Sequence, residues 1–257
     1  MPPCTSISPA PHPLLKTIST PPPAIVQSAV LYALRLFVQS QLPLNEGLLH
    51  DVHITLPPCF LNPDFPADPD QCPPVVGGNV ETSQRLVDTL LKALNLQACS
   101  QGTMNNLIFG DDTFGYYETI AGGAGAGPGY NGAHALHTHM TNTAITDPEI
   151  LEHRYPARLL KFAIRQNSGG NGASRGGDGV IREFEFLAPL TVSLLTQHRT
   201  QSPYGLAGGG PAQPGRQTLF PASGAATTLH PSAQVEVAPG DRLRIETPGG
   251  GAWGEPV

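Results

Sequence analysis

Between residues 24 and 39 the apolar positions Val26, Ala29, Val30, Ala33, Leu34 and Phe37 recur at helical spacing, which predicts an amphipathic helix opening after the prolines at 21–23. The stretch "GGNVETSQRLVDTLLKAL" repeats the pattern more cleanly. Val80, Val87, Leu90, Leu91 and Leu94 form one face, and Asn79 is placed to cap the N-terminus. Glu81, Arg85, Asp88 and Lys92 run up the other side as i,i+3 and i,i+4 neighbours, read most simply as a solvated charge stripe. A short helix is expected in "TDPEILEHRY", with Asp147 as its cap and Pro148 in its first turn.

Elsewhere the period shortens to two. "DVHITL" at 51–56 suggests a short strand, and "QACSQGTMNNLIFG" and "TFGYYETI" suggest a pair around the turn "GDD". "RLLKFAIR", "VIREFEF", "LTVSLLTQ", "AQVEV" and "DRLRIET" continue the series, with Gly-rich loops at 167–179 and 205–216 between some of them. The expected fold is α+β, with two main helices in the N-terminal part and a β-rich C-terminal half joined by Gly-rich loops. Residues 1–20, Pro- and Ser-rich and without apolar periodicity, read as a disordered leader.

Composition narrows the function classes. Three lysines and a net charge of −6 leave no basic stripe for a nucleic-acid backbone. The longest apolar run, "AVLYALRLFV", is interrupted by Arg35 and is too short to span a bilayer. The four cysteines match no zinc spacing, and a reduced, cytoplasmic protein is expected. "GPGYNG" holds a proline and opens no helix, and "GASRG" lies inside a glycine loop, so neither marks a dinucleotide site or a nucleophile elbow. No Gly-Lys pair exists, which excludes a P-loop.

His137 and His139 carry the open question. In an extended segment they face the same side, and spacing alone leaves three readings open. They are metal ligands completed by Glu118, His134 or Asp147, or acid–base groups, or buried structural histidines. The neutral amides Asn79, Gln84, Gln101, Asn105, Asn106 and Asn142, with Thr82, Thr103, Thr141 and Thr143 near them, suit a polar uncharged ligand or, equally, turn stitching.

Six segments, among them "ACSQGTMNNLIFGD", "FGYYETIAGGAGAGPGYNGAHALHTHMTNT", "RGGDGVIREFEFL" and "IETPGGGAWG", resemble the hydantoinase B/oxoprolinase family in its own order, over about residues 19–255. The likeness is nearest to the C-terminal part of ATP-dependent 5-oxoprolinases. It implies that residues 21–257 form the C-terminal half of a hydantoinase B-type domain. It also implies hydrolytic opening of 5-oxoproline or a related cyclic amide, with a hydantoinase A-type subunit or domain using ATP and Mg²⁺. No cofactor is assigned to this chain itself, and a homo-oligomer is compatible with the likeness. The likeness puts the metal ligands of metal-containing relatives in a preceding half, so no metal is assigned here. The expected site comprises His139, His137 and Glu118 for catalysis, and Asn79, Glu81, Thr82, Gln84, Gln101, Asn105, Asn106 and Asn142 for substrate. A non-catalytic fragment or structural subunit, and part of an acetone or acetophenone carboxylase, stand as alternatives.

Overall fold

The computed structural model describes residues 20–38, 41–43 and 45–256. All but the last residue of the expected leader lies outside them. Contacts divide the chain into two units, one ending at Ser83 and the other running from Gln84 onward.

In the first unit, α1 (Pro23–Arg35) starts on a proline in its first turn, where the ring's fixed φ suits a helix and its missing N–H is not needed. It buries Val26, Ala29 and Ala33, one face of the predicted pattern, and ends four residues before the expected limit. "DVHITL" runs without a ladder partner among the described residues. Its alternation is genuine, but an isolated strand has nothing to pair with, so this expectation is corrected. Approaching the second helix, residues Gly78–Thr82 form a π-helical turn. A Cβ on Gly78 would lie 2.5 Å from the Pro21 Cα, so only glycine fits that crossing. Asn79 therefore sits inside the turn rather than capping it, and its carbonyl accepts a hydrogen bond from the Ser83 hydroxyl.

α2 (Ser83–Ala93) follows directly and packs Val87 and Leu91 inward. The charge stripe expected to be solvated is not so throughout. Asp88 is buried in the second unit, and Glu81 is buried in the first. A pattern of i,i+4 charges cannot distinguish a wet face from one covered by polar loops.

The second unit carries the sheets. β1 (Asn106–Gly110), β2 (Gly115–Glu118), β5 (Leu190–Leu195) and β8 (Ser232–Val237) form a four-stranded antiparallel sheet in the order β2-β1-β5-β8. A five-stranded antiparallel sheet has the order β3-β4-β9-β6-β7. Its strands are β3 (Ala157–Arg165), β4 (Gly179–Phe186), β6 (Arg216–Phe220), β7 (Thr227–Thr228) and β9 (Arg242–Glu246). Seven of these nine strands match the predicted runs, and so does α3 (Pro148–Arg154), where the Asp147 carboxylate accepts from the Glu149 and Ile150 N–H groups. Strands β6 and β7 had no periodic signal.

Alternate residues of both sheets meet in one core. β1 supplies Leu107 and Phe109, β5 supplies Leu190, Val192 and Leu194, β4 supplies Phe184 and Phe186, and β9 supplies Leu243 and Ile245. Phe109 stacks on Tyr116 at 4.6 Å and meets Phe186 edge-on at 5.7 Å between ring centroids. Crossing this core is a charge pair. Arg182 of β4 donates from Nε and Nη2 to both Glu118 oxygens of β2 at 2.9 and 2.8 Å, and their side chains are 0% and 1% exposed. The rings of Phe162 and Phe184 flank the guanidinium, each 5.0 Å away.

The glycine content is explained by loops that pack backbone against backbone. Gly177 N donates to Ala124 O, Gly250 N to Gly177 O, Ala126 N to Gly251 O and Gly251 N to Cys99 O, at 2.8–2.9 Å. A Cβ on Gly176 would stand 1.8 Å from Gly250 O. These interlocked loops hold the segment from Cys99 onward against the sheets, and that segment carries the polar residues described next.

Candidate functional site

The centre of the site is Asp88, which along the chain reads only as one member of a charge stripe. Asp88, one helical turn after Gln84 on α2, faces the same side as that glutamine, and both meet the histidine segment. Gln84 Nε2 donates to Thr138 O at 2.9 Å and to the Thr141 hydroxyl at 2.6 Å, while the Thr138 hydroxyl donates back to Gln84 Oε1 at 3.1 Å. Asp88 Oδ1 accepts from His139 Nε2 at 3.1 Å and from Ser100 N–H at 3.0 Å. The Cys99 thiol lies 3.5 Å from its other oxygen, as a donor. Side-chain exposure is 5% for His139 and 2% for Asp88, so the pair is shielded from water.

Electrostatics follow from this packing. Burial works to raise the Asp88 pKa, but the His139 hydrogen bond and charge and the Ser100 N–H outweigh it and hold the carboxyl below its ordinary value. Burial, with Asp88 beside it, pushes the Cys99 thiol well above its usual range, so Cys99 is a hydrogen-bond donor here and not a nucleophile. Burial also lowers His137.

His198 closes the far side of the cluster, with Nε2 3.8 Å from Cys99 Sγ and Nδ1 2.8 Å from Gln201 O. A carbonyl only accepts, so Nδ1 carries the proton and the neutral ring presents its Nε2 lone pair to the thiol. Burial and the Arg85 charge lower its pKa from 6.5 to about 4. In the unfolded chain His198 takes up its proton near pH 6.5, whereas the folded chain does so only near pH 4. Acidification through that window therefore favours unfolding. The expected loss is about 2 kcal/mol between pH 7 and pH 5, read from urea midpoints. His198→Asn, which tolerates the left-handed φ of +51° at this position, should flatten most of that slope. An unchanged slope in the variant would remove His198 as its source.

The amides divide into two groups. Asn105 Nδ2 donates to Gln101 Oε1 at 2.7 Å and to Ile120 O at 3.0 Å, while Asn105 Oδ1 accepts from Arg199 at 2.9 Å. Gln101 Nε2 and His137 Nδ1 are buried without a hydrogen-bond partner among the described residues. Asn106 instead stitches the sheet, donating to Leu195 O and accepting from the Tyr117 hydroxyl. Asn142 is exposed. In the first unit Asn79 is exposed, and Glu81 and Thr82 are buried.

The structure thus brings Gln84 and His139 together through Asp88's helix, and joins Gln101 to Asn105 on the adjoining segment. Glu118 has both oxygens committed to Arg182. Asp88, Cys99, His198, Arg182 and Arg199 were missed. Cys99 and Arg182 lie in segments that carry the family resemblance and Asp88 in the charge stripe, yet nothing in those patterns marks their burial, which only the three-dimensional packing reveals. Among the described residues no group of three or more His, Cys, Asp or Glu side chains is arranged to hold a metal ion. No helix among them is long and apolar enough to cross a membrane.

A buried His–Asp pair beside neutral amides, on an α+β scaffold of two antiparallel sheets, defines a class of polar interior site suited to proton transfer. The family model for hydantoinase B/oxoprolinase matches residues 12–256, and the chain belongs to that family. It is 50% identical to 5-oxoprolinase 1 of Arabidopsis thaliana over 237 residues, 92% of this chain and 18% of that protein. Similarity to the 5-oxoprolinase of Dictyostelium discoideum is 47% identity over 91% of this chain and 18% of that protein. The crystal structure of the ATP-dependent caprolactamase from Pseudomonas jessenii superposes with a TM-score of 0.74 at 26% identity, covering 89% of this chain and 42% of that one. The chain therefore spans about a fifth of the length of the curated relatives it matches.

Proposed function

We propose that this chain supplies part of the hydrolytic site of an ATP-dependent cyclic amide hydrolase that opens 5-oxoproline to glutamate. The observation that carries the reading is the 50% identity to a 5-oxoprolinase along nine-tenths of the chain. In this reading a hydantoinase A-type subunit or domain holds ATP with Mg²⁺ and activates the amide. The present chain positions the activated ring and moves protons. His139, its Nε2–H held by Asp88, is the proton carrier. His137 borders the same segment. Gln84, Gln101 and Asn105 orient the amide's N–H and carbonyl, and Gln101 Nε2 is a buried donor still available for an acceptor. Asn106 and Asn142 belong to the surrounding framework, and so does Glu118 through Arg182. The described cysteines are free thiols, in keeping with a reducing, cytoplasmic setting.

The test is co-expression with an A-type partner from the same genome, followed by assay with 5-oxoproline, ATP and Mg²⁺. Glutamate and ADP should rise together above a partner-only control. A complex that forms but yields no glutamate above that control would overturn the reading in favour of a non-catalytic subunit.

A further inference from the structure

Away from the His139–Asp88 pair, the outer face of the five-stranded sheet carries a groove of about 1020 Å³, and a smaller hollow of about 200 Å³ adjoins it through shared Arg199, Thr200 and Pro231. The larger part is in the range of small-molecule sites. Arg165, Arg199 and Arg216 line it, Arg85 lines the hollow, and Glu246 is the one carboxylate among the lining residues. Four arginines against one carboxylate leave an excess of three positive charges, in a chain whose net charge is −6. So strong a local reversal of sign is unusual for a solvated surface, where charges of both signs interleave.

The guanidinium groups are also held in place. Arg165 Nη1 donates to Pro214 O and Thr247 O at 2.8 and 3.0 Å. Arg199 donates to Gln217 Oε1, Gln197 O and Asn105 Oδ1 at 2.7–3.1 Å, and Arg85 donates to Gln197 Oε1 at 3.0 Å. These partners are neutral acceptors, which fix geometry without cancelling charge. Glu246 shows what the groove accepts. Its Oε2 accepts from both Arg216 Nε and Nη2 at 2.9 and 2.6 Å, while its Oε1 stands 3.7 Å from Arg165 Nε, so a single carboxylate engages two guanidinium groups, as suits carboxylate and phosphoryl oxygens. Arg216 remains 58% exposed on the groove side of that pair, and the amides of Gln213 and Gln217 add neutral donors to the lining.

We infer that this groove binds a small polyanion carrying two or three negative charges on carboxylate or phosphoryl oxygens. The groove lining does not include the His139–Asp88 pair, and anion binding is read here without lactam turnover, so its failure and that of the lactam reading are distinguishable. Isothermal titration of the full chain with inorganic pyrophosphate, with citrate and with uncharged caprolactam tests it. At least one of the anions should bind saturably, weaken as salt rises, and lose about tenfold in affinity in Arg216→Gln. Arg158→Gln, an exposed arginine paired with Glu185 elsewhere on the sheet, should leave binding unchanged. Pyrophosphate alone would identify a phosphoryl ligand, citrate alone a carboxylate ligand, and both a general oxyanion site. Should Arg216→Gln fail to fold, Arg216→Lys keeps the charge but loses the fork, and an affinity between those of wild type and an unbound control is expected. No saturable anion binding, equal loss in the Arg158→Gln control, or equal binding of caprolactam would overturn the inference.

Discussion

Replacing Glu118 with Gln is expected to destabilise the chain by about 3–5 kcal/mol, because it strands a buried guanidinium without its counter-charge. Arg182 and Glu118 link the two sheets through the middle of the core, each essentially inaccessible to water. Burial raises the Glu118 carboxyl against the lowering pull of Arg182, which is the balance a desolvated ion pair strikes. The cost of the single substitution is large against a typical domain stability of about 5–15 kcal/mol. A urea midpoint series would read it directly. Replacing both partners, Glu118→Leu with Arg182→Met, should recover most of the loss, since a hydrophobic pair of similar volume needs no desolvation. The double variant also separates framework from chemistry. If it folds and keeps turnover with the A-type partner, Glu118 acts only through Arg182. A single substitution costing under about 1 kcal/mol would show that the pair is wet and carries little.

Much of the fold is legible along the chain, for a physical reason. Core strands alternate because one face of each sheet is buried, so Leu190, Val192 and Leu194 declare β5, and Asp147-Pro148 declares α3 through its cap. Strand β6 is not declared, because its neighbours on β9 and β7 leave Gln217 buried and Arg216 exposed, the reverse of an apolar-in pattern. The site is less legible still. A buried carboxylate such as Asp88 has the same one-letter neighbours as a solvated one, and its burial depends on loops from residues 98–105 and 138–141 that carry no periodicity. For the histidine segment, packing gives His139 a carboxylate partner and leaves His137 Nδ1 without a hydrogen-bond partner among the described residues.

His139→Asn is the substitution expected to affect chemistry most, with turnover falling by about 10²–10⁴-fold in complex with the A-type partner, the range for loss of a positioned acid–base group. Asn is chosen because His139 sits at a left-handed φ of +51°, a conformation asparagine adopts at little cost. A fall in turnover with an unchanged urea midpoint would then report chemistry and not unfolding. KM for 5-oxoproline should hold, because His139 in this role acts on the proton and not on ground-state binding. Asp88→Asn makes the complementary test. It keeps a hydrogen-bond acceptor for His139 but removes the carboxylate charge beside it, so turnover should fall while KM and the urea midpoint hold. Asp88 is thus a positioning residue, and a fall in kcat at unchanged KM and urea midpoint distinguishes that role from a purely structural one. If His139→Asn loses stability but not turnover per folded molecule, the buried pair is a clamp between α2 and the histidine segment. The proton carrier must then be sought on the portion of the enzyme that the long relatives carry and this chain does not span.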